Sequence, residues 1–212
     1  SDYYLESRRP EKGVALKKLF GSPFLDLTLN GVRLLYPPTV FSQVNEALLP
    51  DFVRTAGEML ELTSNTRLFD LYCGYGLLGL LLAPQAGVVT GMEIEGPAIA
   101  AAAGNAEHLY PGKPIRFITA AITAESLKQK LPPPGGREVI ILDPPRQGTA
   151  AEVIDVLAQR RPERVVHICC GTDEIPAALK EWKAAGYLPR RIQPLDMFPG
   201  SLNLETMILL QS

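Results

Sequence analysis

The chain has 212 residues, of which 46% are hydrophobic and 21% are charged, with a net charge of −2. This length suits one globular domain, alone or with a small appendage, and the composition is ordinary for a soluble protein. No apolar run is long enough to span a bilayer, and the chain lacks the basic excess usual in nucleic-acid enzymes. Paired basic residues at 8–9, 17–18, 160–161 and 190–191 are best interpreted as solvated surface.

Cysteine usage favours a reducing compartment. The three cysteines, Cys73, Cys169 and Cys170, are odd in number and include one adjacent pair, which is not a disulfide framework. Their spacing does not resemble a metal site, so no metal is expected. The N-terminal residues have neither a basic nor an apolar region, so no signal peptide is expected and the location is predicted to be cytoplasmic.

The predicted elements alternate between strands and helices along most of the chain. Residues 1–37 form an expected appendage, with two strands joined at Asn30-Gly31, a pair typical of hairpin turns. A helix is predicted over 45–62. Four strand–helix pairs follow, with strands over 67–72, 88–93, 115–118 and 139–142 and helices over 77–83, 97–108, 124–130 and 150–159. The last elements are a strand over 165–169, a helix over 174–185 and strands over 188–193 and 205–210.

This order predicts an α/β fold. Alternating strands and helices build a Rossmann-like, doubly wound, mostly parallel sheet, and the final two strands suggest an antiparallel hairpin at its end. The chain therefore divides into a small N-terminal β appendage over residues 1–37 and a main domain over residues 38–212.

A glycine turn follows the first strand of the main domain. The segment Leu-Phe-Asp-Leu-Tyr-Cys-Gly-Tyr-Gly at 68–76 passes from an apolar strand through Gly74 and Gly76 into a helix. Glycines allow a tight turn and a close approach of ligand to backbone, although an ordinary strand–helix turn is an equal alternative. The next strand ends at Glu93, which could accept hydrogen bonds from ribose hydroxyls. Gly79 falls one residue late for a dinucleotide fingerprint, which favours S-adenosylmethionine over NAD.

Five spaced motifs together resemble the RNA uracil-C5 methyltransferases. They are Phe-Ser-Gln-Val-Asn at 41–45, Asp-Leu-Tyr-Cys-Gly at 70–74, Met-Glu-Ile at 92–94, Asp-Pro-Pro-Arg-Gln-Gly at 143–148, and Asp-Met-Phe-Pro at 196–199 followed by Glu205. The similarity covers residues 24–212. It implies a class I fold that binds S-adenosylmethionine, and an RNA substrate that is a tRNA or an rRNA.

The resemblance also implies a mechanism. Cys170 corresponds to the nucleophile that adds to uracil C6, and Glu205 to the base that removes the C5 proton. A helix N-terminus after Cys170 is expected to lower its pKa, and an apolar strand is expected to raise that of Glu205. The implied cofactor contacts are Gln43, Tyr72, Gly74, Gly76, Glu93 and Asp143. The implied substrate contacts are Pro144, Arg146 and Phe198.

Three departures from that family leave alternatives open. Gly171-Thr172 replaces the usual Asn-Pro after the nucleophile, the His that often precedes the base is missing, and the family's N-terminal RNA-binding barrel has no counterpart. The chain could therefore need a separate RNA-binding domain or partner. It could also methylate another substrate, or act as a non-catalytic, cofactor-binding scaffold.

Overall fold

The computed structural model describes residues 21–212, and it begins with a two-stranded hairpin. Strands β1 (Leu25–Leu29) and β2 (Val32–Tyr36) pair in antiparallel fashion. Asn30 and Gly31 between them have φ angles of 51° and 80°, as a two-residue hairpin turn requires. The predicted hairpin is thus confirmed, whereas the expectations for the N-terminal residues and for the basic pairs at 8–9 and 17–18 lie outside the described residues.

A seven-stranded sheet forms the centre of the molecule, in the order β5-β4-β3-β6-β7-β9-β8. The first five of these strands are parallel, and β9 is antiparallel to both β7 and β8. This confirms the predicted α/β fold with an antiparallel C-terminal hairpin. The remaining elements, in chain order, are α1 (Leu49–Leu60), β3 (Thr66–Leu71), α2 (Leu77–Leu82), β4 (Val88–Glu93), α3 (Gly96–Leu109), β5 (Ile115–Thr119), α4 (Ala124–Lys130), β6 (Arg137–Leu142), α5 (Val153–Gln159), β7 (Arg164–Cys169), α6 (Ile175–Ala184), β8 (Leu188–Leu195) and β9 (Glu205–Gln211).

Apolar residues cover both faces of the sheet. Alternate residues of β6 and β7 point to opposite faces, so Ile141 and Val166 join a core with α1, α2 and α3. Ile140 and Val165 join a second core with α4, α5 and α6. The buried side of the β1–β2 hairpin belongs to the first core, and the Asn105 side chain of α3 bonds the backbone N–H and C=O of Leu35. The division at residue 37 stays a prediction.

Two helices begin later than the sequence predicts. The helix predicted from residue 45 has a 3-10 turn over Glu46–Leu48 and becomes α1 at Leu49, with Pro50 in its first turn. The helix predicted from residue 150 begins at Val153, because Glu152 before it has a left-handed φ of 62°. A helix cannot propagate through a left-handed residue.

A buried ion cluster joins the N-terminal ends of strands β3 and β6 to the residue that follows α5. The Glu138 carboxylate on β6 is 2% exposed and accepts hydrogen bonds from Arg160 Nε at 2.9 Å, Arg160 Nη2 at 2.8 Å and Arg67 Nη1 at 3.0 Å. The Arg160 side chain is 8% exposed, so the surface interpretation of the 160–161 pair is wrong for Arg160. A buried carboxylate needs such partners to offset the loss of hydration.

Candidate functional site

The predicted site residues meet at one edge of the sheet. Parallel strands β3, β4, β6 and β7 all end there, and antiparallel β9 begins there. Leu71 pairs with Met92 and with Leu142, and Cys169 pairs with Thr206. The residues just beyond these pairs are therefore neighbours, although they are up to about 135 positions apart in the chain.

The turn after β3 has a backbone shape that explains its glycines. Tyr72, Gly74 and Gly76 have φ angles of 64°, 53° and 82°. A β-carbon on Gly76 would lie 3.0 Å from both Leu80 and Phe117, so only glycine fits this position without displacement. A β-carbon on Gly74 would meet open space. Gly74 thus leaves its backbone accessible at the edge where ligands of open α/β sheets bind.

A small open cleft lies beside this turn. Two buried polar atoms at the cleft, Gln43 Oε1 and Tyr75 Oη, have no hydrogen-bond partner among the described residues. Unpaired buried polar groups are costly, so these atoms suit a polar ligand. Asp143 and Tyr72 also line the cleft, and its lining is completed by Phe41, Ser42, Phe52, Asp70, Cys73, Gly74, Leu77 and Leu78.

The Glu93 carboxylate faces the glycine turn. Its Oε2 accepts the Gly74 N–H at 3.3 Å, and its Oε1 accepts the N–H groups of Ile94 at 2.7 Å and Glu95 at 3.1 Å. These backbone bonds hold the carboxylate at the tip of β4. A ribose bound there could share Oε2, whose bond to Gly74 is long. Glu95 is half-buried and immediately precedes α3.

The Asp-Pro-Pro segment follows β6 directly. The Asp143 N–H donates to the Leu71 carbonyl at 3.2 Å, which extends the ladder between β3 and β6 by one residue. Burial raises the pKa of Asp143 well above its ordinary value, and the negative charges of Glu205 and Asp70 raise it further. Pro144 is buried, whereas Arg146 is exposed and lies 3.9 Å from the Asp173 carboxylate.

Cys170 lies at the carboxyl end of β7, and its thiol bonds a carboxylate. Sγ donates to Oε1 of Glu174 at 3.2 Å. Burial raises the pKa of Cys170 to about 12, and the bond to Glu174 adds to that rise. The expectation of a lowered pKa is wrong, because burial and the carboxylate of Glu174 in hydrogen-bond contact outweigh the roughly half-unit charge of a helix N-terminus.

Glu205 lies opposite Cys170. Since Cys169 pairs with Thr206 in antiparallel register, the residues one step further toward the edge are Cys170 and Glu205. Glu205 is 2% exposed, and its Oε2 has no hydrogen-bond partner among the described residues. Burial raises its pKa to about 7, with a contribution from Glu174. This confirms the expected direction.

Two loops contact each other near this edge of the sheet. The Asn45 side chain donates to the Asp196 carbonyl at 3.0 Å, which joins the predicted cofactor segment at 41–45 to the segment between β8 and β9. Phe198 of that segment is half-buried against the first core, whereas Phe41 is 64% exposed at the cleft. The first and last of the five motifs are thereby brought together.

Comparisons with known proteins agree with this geometry. No family model matches the chain. An uncharacterized RNA methyltransferase of Thermosynechococcus vestitus is 35% identical over 193 residues, which are 91% of this chain and 42% of that protein. One of Listeria monocytogenes is 31% identical, covering 93% of this chain and 43% of that protein. The chain thus spans less than half the length of these relatives.

Solved structures point the same way. The tRNA (uracil-54, C5)-methyltransferase of Pyrococcus abyssi, in complex with S-adenosyl-L-homocysteine, superposes with a TM-score of 0.76 at 26% identity, covering 90% of this chain and 45% of that chain. The chain is a homologue of RNA methyltransferases and has the class I S-adenosylmethionine-dependent fold. Magnesium protoporphyrin IX methyltransferase of Synechocystis, with S-adenosylmethionine bound, shares the fold at a TM-score of 0.53 and 17% identity.

Three features of this methyltransferase fold escape sequence reasoning. Glu174, the partner of Cys170, lies four residues after it, and only this spacing hinted at a contact. Tyr75 lines the cleft but was not among the predicted residues. His167 accepts a bond from Trp182 Nε1 at 2.9 Å, and burial lowers its pKa to about 4, so it is a neutral residue of the second core.

Residues 21–212 contain neither a candidate metal-binding cluster nor a candidate membrane-spanning helix. Within residues 21–212, no group of three or more His, Cys, Asp or Glu residues could hold a metal ion. Over the same residues, none of the helices combines the length and apolarity needed to cross a bilayer.

Proposed function

We propose that this chain is the catalytic domain of an RNA methyltransferase that transfers a methyl group from S-adenosylmethionine to C5 of a uracil in tRNA or rRNA. The observation that carries the proposal is that a thiol, Cys170, and a buried carboxyl of raised pKa, Glu205, are neighbours at one edge of the sheet. Uracil-C5 chemistry needs both a nucleophile and a base.

The cleft beside the glycine turn supplies suitable groups for the cofactor. Gln43, Tyr72 and Asp143 line it, Gly74 and Gly76 shape its floor, and Glu93 lies at the neighbouring strand tip, where it suits the ribose hydroxyls. The orphaned Gln43 Oε1 and Tyr75 Oη add unused hydrogen-bonding capacity. When bound, S-adenosylmethionine supplies an electrophilic methyl group and a positive charge, which would favour ionisation of the buried carboxyls of Asp70 and Asp143 in the cleft.

Cys170 and Glu205 divide the remaining chemistry. The Cys170 thiolate adds to C6, so that C5 becomes an enolate carbon that takes the methyl group. Glu205 then removes the C5 proton, and the C6–sulfur bond breaks. A buried carboxyl with a pKa of about 7 is well matched to this task near neutral pH. Pro144, Arg146 and Phe198 border this region and are the proposed contacts to RNA.

The net charge of −2 leaves little general attraction for phosphates. The uracil must also leave its stack to reach Cys170, which costs binding energy. We therefore propose that a further domain or a partner supplies much of the binding energy for RNA. Because the cysteine usage favours a reducing compartment, we also propose that the reaction takes place in the cytoplasm.

The decisive experiment is mass spectrometry of the protein mixed with S-adenosylmethionine and RNA containing 5-fluorouridine. Fluorine at C5 cannot leave as a proton, so a methylated covalent adduct should accumulate on Cys170. The Cys170→Ala variant should form none, and the matched Cys169→Ala variant, altered one residue earlier at the end of β7, should still form it.

Two other outcomes would point elsewhere. S-adenosylmethionine binding without any adduct, on both tRNA and rRNA substrates, would reject uracil-C5 chemistry in favour of another substrate of the same fold. Loss of methyl transfer to every RNA, with binding retained, would favour a cofactor-binding scaffold.

A further inference from the structure

The contact between Cys170 and Glu174 is the most specific feature of the site that the two-residue mechanism does not use. The thiol donates to Oε1 at 3.2 Å, within the range for a bond from sulfur. Glu174 immediately precedes α6, and its own N–H donates to the Gly171 carbonyl at 3.2 Å. The carboxylate is thus positioned by the same short turn that carries the nucleophile.

Gly171 leaves the space beside this turn open. A β-carbon there would meet the Asp173 carboxylate, an exposed side chain that can move, and would lie at an ordinary contact distance of 3.4 Å from Glu174 Oε1. The Glu174 carboxylate therefore lies close to the backbone that carries Cys170.

Several charged groups face the Cys170 thiol. Glu174 contacts it from the start of α6, Glu205 approaches from β9, and Asp143 approaches from the end of β6. Cys169 adjoins it on β7. Simple loss of the thiol proton to solvent would place a second negative charge against these carboxylates, which is unfavourable at short range. Transfer of the proton from Sγ to Glu174 creates no second charge.

We propose that Glu174 accepts the thiol proton when Cys170 attacks uracil, and returns it when Cys170 leaves. This inference rests on the proposed uracil-C5 function. Glu174 contacts the reacting sulfur, so it would be a third catalytic residue beside Cys170 and Glu205.

The steps balance. As the Sγ–C6 bond forms, the S–H bond breaks, its proton passes to Glu174 Oε1, and the electrons of the C5–C6 double bond move to O4. After C5 has taken the methyl group, Glu205 accepts the C5 proton. The electrons of that C–H bond restore the C5–C6 double bond, the C6–Sγ bond breaks, and the thiolate recovers its proton from Glu174. The protein ends with one proton gained, on Glu205.

Alkylation of Cys170 by iodoacetamide tests this transfer without RNA. In a Cys169→Ala background, Cys170 is the only one of the two adjacent cysteines that can react. Peptide mass spectrometry then measures the alkylation of Cys170. A proton that moves only from Sγ to Glu174 is not exchanged with solvent, so the alkylation rate should not rise with pH between about pH 6 and about pH 9. In Glu174→Gln the thiolate must form by loss to solvent, and the rate should rise about tenfold per pH unit. The matched variant Glu181→Gln, an exposed carboxylate on α6, should keep the profile of the background protein.

A rise of about tenfold per pH unit in the background protein itself would overturn the proposal, even if Glu174→Gln failed to fold. Identical profiles in the background and in Glu174→Gln would overturn it as well. Single-turnover adduct formation with 5-fluorouridine RNA gives the second readout, which should slow by about 10²-fold or more in Glu174→Gln, with S-adenosylmethionine affinity unchanged. An absence of adduct in the unaltered protein would count against the uracil-C5 function, whereas the alkylation profile reports on Glu174 independently.

Discussion

The buried carboxyl of Asp70 should make this protein less stable as pH rises. Asp70 is 2% exposed beneath the glycine turn, and its Oδ2 accepts the Gly79 N–H at 2.8 Å. Burial raises its pKa from 3.8 to about 7, more than the single hydrogen bond can offset. Below pH 3.8 the group is protonated in both the folded and the unfolded chain, and its contribution is fully present.

The magnitude follows from the difference between the two pKa values. Between pH 3.8 and about pH 7 the unfolded chain has released this proton and the folded chain still holds it. Each pH unit in that window costs about 1.4 kcal/mol of stability. The window is about three units wide, so Asp70 should lower the free energy of unfolding by up to about 4 kcal/mol between pH 4 and pH 8.

Urea unfolding from pH 4 to pH 8 measures this contribution. Trp182 is the sole tryptophan and is fully buried, so its fluorescence reports unfolding. Asp70→Asn keeps an oxygen for the Gly79 N–H and removes the titration, so its stability should fall less with pH than that of the unaltered protein. Asp155→Asn, an exposed position on α5, is the matched control and should keep the original pH dependence. Parallel curves for Asp70→Asn and the unaltered protein would refute the reasoning.

The structure also predicts the direction in which three other substitutions change stability or methyl transfer. Glu138→Ala should lower the free energy of unfolding by about 3–5 kcal/mol in urea, because it leaves the buried Arg160 guanidinium without its carboxylate; a loss below about 1 kcal/mol would show that the pair is dispensable. Gly79→Ala should cost about 1–3 kcal/mol by the same assay, because its β-carbon would lie 2.8 Å from Asp70 Oδ2, and an unchanged stability would contradict this close packing. Glu205→Gln should arrest methyl transfer at a methylated protein–RNA adduct with ordinary uridine, detected by mass spectrometry. In the unaltered protein the rate should rise with pH up to about pH 7 and then level off, as the buried Glu205 carboxyl loses its proton; a rate that does not change with pH below about pH 7 would exclude Glu205 as the base.

Local sequence patterns determined most of the fold. The alternation of apolar strands with helices predicts the parallel sheet, since each strand must be covered on both faces. Asn30-Gly31 predicts the hairpin because that pair adopts left-handed angles easily. The motif order also places Cys170 and Glu205 at strand ends. These inferences depend on residues close together in the chain, and such patterns are visible in a sequence.

Tertiary structure decided the chemical state of the site. The sequence predicted a lowered pKa for Cys170 from the adjacent helix, yet burial and the carboxylate of Glu174 raise it. The depth at which Glu138 and Arg160 are buried was equally hidden, because their partners lie on separate strands and helices. A pKa depends on hydration and on charges within a few ångströms. Those distances exist only after β6, β7 and β9 have assembled, so the sequence determined which groups are present and the folded structure determined how they interact.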